Sequence, residues 1–330
     1  MPRELSSFSI QAMAQLLRIR KHMKGPTLFL GARTGGLFRS PALYNNLQKF
    51  SLRDFSRLND FEKFAECFRQ LSQAENFSET DIDSFLTTAL RDISATYTDV
   101  CVAELLKQGI FDVIITTCID DILEQALNYI GQREPYDFSV HIPRQDPLAQ
   151  EQSMQLEPRS NDSINIWKVF GDITSRSYNV SKRISHVQEH SDLQKVLVET
   201  KKRDLLMVGF DPVWDGDIIS ALFPRSGPGS PNSLWYVNDQ LPEKETPLFR
   251  FLKDCHAKYI SGIEGNHENF FQDLHLQMTG RLPVPYQIEQ ELHREFRQMK
   301  NELEMLRREV QQLVFLLQKE TGRKNPTDEK

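Results

Sequence analysis

Four short segments carry residue types that can handle a phosphate or a sugar. The first, residues 30–47, reads LGARTGGLFRSPALYNNL. Gly31, Gly35 and Gly36 let a backbone approach a phosphate closely, and the amides of such a loop can form an anion nest. Arg33 and Arg39 carry the planar donor fork that pairs with a pyrophosphate. The second segment, TTCIDD at 116–121, offers Thr116, Thr117 and Asp120, although helix capping is the simpler reading of these residues. The third, KVFGDI at 168–173, leaves an apolar run through Gly171, which alone is a plain turn glycine. The fourth begins VGFDPVWDGDII, where Gly209 is followed by Asp211, Asp215 and Asp217. Three aspartates suggest a divalent cation, but no bidentate glutamate stands at calcium-loop spacing, so capping and turn formation is preferred.

Cys118 is the remaining reactive type. It precedes a helix N-terminus, where a thiolate is favoured. A nucleophilic cysteine needs a base, and none of the eight histidines lies in these segments. His186 and His190 are four apart and share a face if that stretch is helical, but a metal there lacks a third ligand. A small buried apolar residue is the simpler reading of Cys118.

The elements that must position these segments follow from apolar pattern. Near-continuous apolar runs at 27–32, 111–118, 163–171, 204–210, 233–238 and 258–262 predict six strands. Each of the four segments sits where such a run ends. Helical spacing predicts a helix over the first 24 residues, with a basic end closed by Gly25-Pro26. A further helical stretch runs from 52 to 108, broken near Asn76-Phe77-Ser78, and another helix spans 120–129. Strands alternating with helices predict an α/β fold, a Rossmann-like parallel sheet covered on both faces. Ligands of such sheets bind at the carboxyl ends of the strands. Residues 143–163, rich in Gln, Ser, Pro, Asp and Asn, read as a surface insertion.

Composition narrows the function classes. The 330 residues carry 40 Lys and Arg against 46 Asp and Glu, a net charge of −6. That argues against coating nucleic acid by charge, so nucleic acid is expected only through a partner. Cys67, Cys101, Cys118 and Cys255 form no CxxC pair, so neither a four-cysteine zinc module nor a disulfide framework is expected. With no apolar run of 18 residues and no secretory h-region, the expected setting is the cytoplasm, without a membrane span.

The four segments, in this order over roughly residues 25 to 275, resemble the sirtuin-like NAD-consuming family. GARTGGLFRSP resembles its first NAD loop, TTCIDD its TxN-x-D motif, KVFGDI its HG motif, and DLLMVGFDPVWDGDII its late strand and helix. The resemblance implies a sirtuin-like sheet binding NAD or ADP-ribose. The implied contact positions are Gly31, Ala32, Arg33, Phe38, Arg39, Thr117, Ile119, Asp120, Gly171 and Gly209. The missing CxxC pairs imply no zinc and point to the stand-alone NAD-hydrolase branch, which in prokaryotes serves anti-phage defence. Two departures bear on mechanism. Cys118 stands at the position of the family's Asn, and Phe170 at that of its His. Phenylalanine takes no proton, and a lost general base costs about 10²–10⁴-fold in rate. Arg33 stands where the family has a glycine. The expectation is therefore a catalytically degenerate nucleotide sensor or scaffold subunit. The alternative is an active NAD hydrolase that uses Asp120 or His186, or a site completed by a partner.

The tail differs in kind. Leu292, Phe296, Met299, Leu303, Leu306, Val310, Leu313 and Leu317 alternate at spacings of four and three. This heptad seam predicts a coiled-coil helix over 286–320, pairing through 292–317 with its own copy or a partner's helix. The expected organisation is a domain over 1–280, the coiled coil, and a disordered tail over 321–330.

Overall fold

The computed structural model describes residues 5–20, 25–72, 77–142, 163–175, 177–178, 200, 203–216, 218, 233–283, 299–300 and 302–311. Several expectations lie outside these residues. They are the basic Lys21 and Lys24, Asn76, the insertion over 143–162, His186 and His190, Asp217, four of the seam residues, and the tail over 321–330. The chain divides into two compact units, Met1–Leu282 and Pro283–Lys330.

The first unit is an α/β fold. Its described strands are β1 (Ser6–Ser7), β2 (Thr27–Leu30), β3 (Val113–Thr116), β4 (Phe138–His141), β5 (Ile164–Lys168), β6 (Gly171–Asp172), β7 (Ser177–Tyr178), β8 (Leu205–Val208), β9 (Leu234–Val237) and β10 (Lys258–Ile260). Eight of them form one sheet in the order β1-β10-β9-β8-β2-β3-β5-β4, with every pairing parallel. β6 and β7 form a separate antiparallel pair. Strands β2, β3, β5, β8 and β9 are buried along their whole length. Burial on both faces is why their sequences are continuously apolar rather than alternating.

The helices are α1 (Ile10–Arg20), α2 (Pro41–Leu47), α3 (Asp60–Ser72), α4 (Glu79–Leu90), α5 (Tyr97–Lys107), α6 (Ile122–Tyr129), α7 (Pro247–Asp254) and α8 (His267–Thr279). Their starts are written in the sequence. Ser40 caps α2 ahead of Pro41, and Thr246 caps α7 ahead of Pro247. Ser78 with Asp81, and Thr96 with Asp99, form reciprocal boxes at α4 and α5. Gly280 ends α8 in the left-handed conformation.

One large core joins the alternate strand residues Phe29, Val113, Ile115, Leu205, Met207 and Tyr236 to α2, α3, α4 and α7. Helices α1, α5, α6 and α8 pack against one another in a second group. Phe64 of α3 stacks on Trp214 at 4.6 Å, and the Trp214 indole donates to the Phe64 carbonyl at 2.8 Å. This pair ties the helical stretch to the loop after β8.

All six predicted strands are present, and four details differ from expectation. The first 24 residues are not one helix, because Ser6–Ser7 pairs with β10 through backbone alone before α1 begins. The stretch from 52 to 108 contains a second break at 91–96, where Thr96 opens a new cap. The helix expected from Asp120 starts at Ile122. β4 gave no apolar run, since only Phe138 of its four residues is buried.

The aromatic pair generates a stability prediction. Phe64→Ala leaves a cavity beside Trp214 and should cost about 3–5 kcal/mol, read as a lowered midpoint in urea unfolding.

Candidate functional site

Strand order reverses at β2. The chain builds outward through β3 on one side and through β8, β9 and β10 on the other. The crevice between the ends of β2 and β8 is therefore the switch point, where open α/β sheets place their ligands. Two of the four segments flank it. The amides of Gly31 and Arg33 donate to the carbonyls of Val208 and Gly209, at 2.9 and 3.0 Å.

That contact is too close for side chains. A Cβ on Gly31 would lie 2.5 Å from the Gly209 carbonyl oxygen and 2.6 Å from the Phe210 Cα. Gly209 has φ +66°, and a Cβ there would meet the Thr34 methyl at 2.5 Å. Both glycines are required by packing of protein on protein.

Buried charge then closes the crevice. Asp215 is fully buried, and its Oδ2 accepts from the Ala32 amide at 2.9 Å and the Asp211 amide at 2.8 Å. Burial, helped by the charge of Asp211, pushes the Asp215 carboxyl up to about 6. Arg33, only 8% exposed, donates through Nε to Asp211 at 3.0 Å and through Nη1 to the Asn238 carbonyl at 3.1 Å. Its guanidinium lies 4.1 Å over the Phe61 ring. Asn238 is used on both sides, since its amide donates to the Phe210 carbonyl and the Tyr236 hydroxyl. Arg33 thus faces the protein rather than an open pocket.

The other side of the first loop is equally occupied. Asp120 accepts from the Gly36 amide at 2.8 Å and from Ile122 at 3.4 Å. Arg39 binds the Asp99 carboxylate at 2.8 Å and the Thr96 hydroxyl at 3.0 Å, reinforcing the cap of α5. Phe38 packs on Phe61 and edge-on to Phe64. The Thr117 amide donates to the Leu30 carbonyl, and the Ile119 carbonyl accepts from Ile173. Gly171 is buried and opens β6 at φ +91°. Ala32 is buried in the core.

Cys118 donates to the Gly31 carbonyl at 3.5 Å and lies 3.6 Å from the Thr34 hydroxyl. Burial, then the charge of Asp120, push its thiol up to about 12. Desolvation thus outweighs the nearby helix start, in keeping with the reading of Cys118 as a small apolar residue rather than a nucleophile. Phe170 is 0% exposed and belongs to the large core.

The chemistry that sequence reasoning passed over is a buried ion cluster. Lys168, 1% exposed, donates to Glu124 at 2.5 Å, to Asp172 at 2.6 Å and to the Asp120 carbonyl at 2.7 Å. Burial works to lower the ammonium, but Glu124 and Asp172 outweigh it and hold Lys168 above its ordinary value. Burial pushes Glu124 up to about 7 against the pull of Lys168. The available signal was a lysine closing an apolar strand with an aspartate four residues on.

Two recesses border these residues. One, with about 40 Å³ of free volume, is lined by Thr98, Cys118, Asp120, Lys168, His267 and Phe271 among others. The other, bounded by Ala32, Gly35, Thr117, Cys118 and Trp214, holds about 10 Å³. The Gly31 and Gly209 surfaces at this end of the sheet are covered by protein rather than open to a phosphate. Among the described residues, no group of three or more His, Cys, Asp or Glu is placed to hold a metal ion. No helix among them is long and apolar enough to cross a membrane.

No family model matches the chain, and no curated protein matches it in sequence. Similar solved structures include one described as "Structural Basis for the Mechanism and Regulation of Sir2 Enzymes". It is 13% identical, with 82% of this chain and 97% of that chain covered and a TM-score of 0.39. The fold class stands on the strand order and register given above.

Two predictions follow from this geometry. Gly31→Ala should lower stability by about 2–3 kcal/mol in urea unfolding, as overpacking does, because its Cβ would strike backbone. His267 is buried, and burial, then Arg39, hold its imidazole down at about 4. A depressed histidine stays neutral when folded while the unfolded chain takes up a proton near 6.5, so stability falls as pH drops from 6.5 to 4. His267→Gln should remove about 3 kcal/mol of that acid sensitivity, measured as the wild-type minus variant difference at each pH.

Proposed function

We propose that this chain is a sirtuin-like domain that has lost NAD hydrolysis and serves as a scaffold subunit of a larger complex. The observation that carries the proposal is Arg33. It is buried at the switch point and donates through Nε to Asp211 and through Nη1 to the Asn238 side-chain oxygen. A dinucleotide would have to displace a buried ion pair, and a partner left behind in such a site costs about 3–5 kcal/mol.

The catalytic positions point the same way. At the place of the family's base stands Phe170, which has no proton to exchange and sits in the core. At the place of its Asn stands Cys118, whose thiol remains protonated at neutral pH. Asp120, the group available to an active hydrolase, is committed to bracing Gly36 and capping α6. Of the sensor and scaffold forms, the filled crevice favours the scaffold. The resemblance implies a prokaryotic anti-phage complex as the setting.

The test uses purified full-length chain with millimolar NAD or ADP-ribose. The expected result is no nicotinamide release above the buffer rate and no rise in melting temperature. Release with turnover approaching about 1 s⁻¹, ordinary for an enzyme, would overturn the loss of hydrolysis. A rise of several degrees without release would replace the scaffold by a sensor.

A further inference from the structure

The second unit presents an apolar stripe to solvent. Residues 299–300 and 302–311 are helical, and every one of them is exposed. Met299 is 50% exposed, Leu303 67%, Leu306 57% and Val310 57%. Scattered exposed apolar residues are ordinary, but these four recur at spacings of four, three and four and so share one helix face. The sequence continues the same spacing through Leu292 and Phe296 before them, and Leu313 and Leu317 after them. This is the a/d seam of a coiled coil, with Leu303 and Val310 at a and Met299 and Leu306 at d.

Charge selects the occupant. In this register Glu302 falls at g, and Lys300 and Arg307 fall at e. A parallel, in-register copy brings Glu302 of each chain beside Arg307 of the other, and Glu295 beside Lys300. An antiparallel copy would instead bring glutamate to glutamate and base to base along the two flanks. The flanks are thus complementary to themselves in one orientation only.

We propose that the helical residues 299–300 and 302–311 pair, parallel and in register, with the same residues of a second copy of this chain. The inference stands apart from the state of the switch-point crevice.

Sedimentation and light scattering of the full-length chain at micromolar concentration test it. The expected mass is a multiple of 38.4 kDa. Leu303→Asp with Leu306→Asp should give the monomer mass while the melting of the first unit stays in place, which separates lost pairing from lost folding. Orientation has its own readout. Glu302→Arg should weaken association roughly tenfold, and adding Arg307→Glu should restore it to within about threefold. A monomeric wild type, a seam variant that keeps its assembly, or a charge swap without rescue would each overturn the proposal.

Discussion

One buried carboxylate governs the relation between the two loops at the switch point. Asp215 takes an amide hydrogen from each loop, from Ala32 and from Asp211. A carboxylate this deep is tolerable only with its hydrogen bonds intact. The loops therefore cannot separate without exposing or orphaning it. Close approach of the two backbones then dictates glycine at 31 and 209. It also delivers Asp211 to Arg33 and carries Trp214 onto Phe64, so the helical layer is locked to the same point.

A second charged knot holds the far side. Lys168 joins the end of β5 to α6 through Glu124 and reaches the Asp120 carbonyl, while the Asp120 carboxylate braces Gly36. The first loop is thus gripped from both flanks. The Ala32, Arg33 and Gly36 amides and the Arg33 and Arg39 guanidiniums of this loop have protein partners. In such an interior a new anion competes with fixed, desolvated pairs rather than with water.

Much of the architecture was legible because it rests on local pattern. Strands buried on both faces announce themselves as apolar runs. β1 and β4 were illegible for the same reason, since edge strands are short and need little apolar surface. The segments at the strand ends were legible in sequence, whereas the partners of their side chains were not. Arg33 looked like a phosphate ligand because its partners Asp211 and Asn238 lie 178 and 205 residues away. No spacing rule reaches that far. The helix start alone would favour a thiolate at Cys118, and its desolvation comes from the loop of Gly31 and Thr34, 84 or more residues away in sequence. Lys168 stood in plain view at the end of an apolar run, yet its meaning depends on Glu124 from another element.

Amide hydrogen exchange at Ala32, Arg33, Asp211 and Asp215, with and without millimolar NAD, addresses the central claim most directly. Loops closed by their own side chains should exchange as slowly as β2 and β8, with no change on adding NAD. Exchange within seconds in the free protein, slowed by NAD, would mean that the crevice opens to a nucleotide and that the closure described here does not govern the molecule.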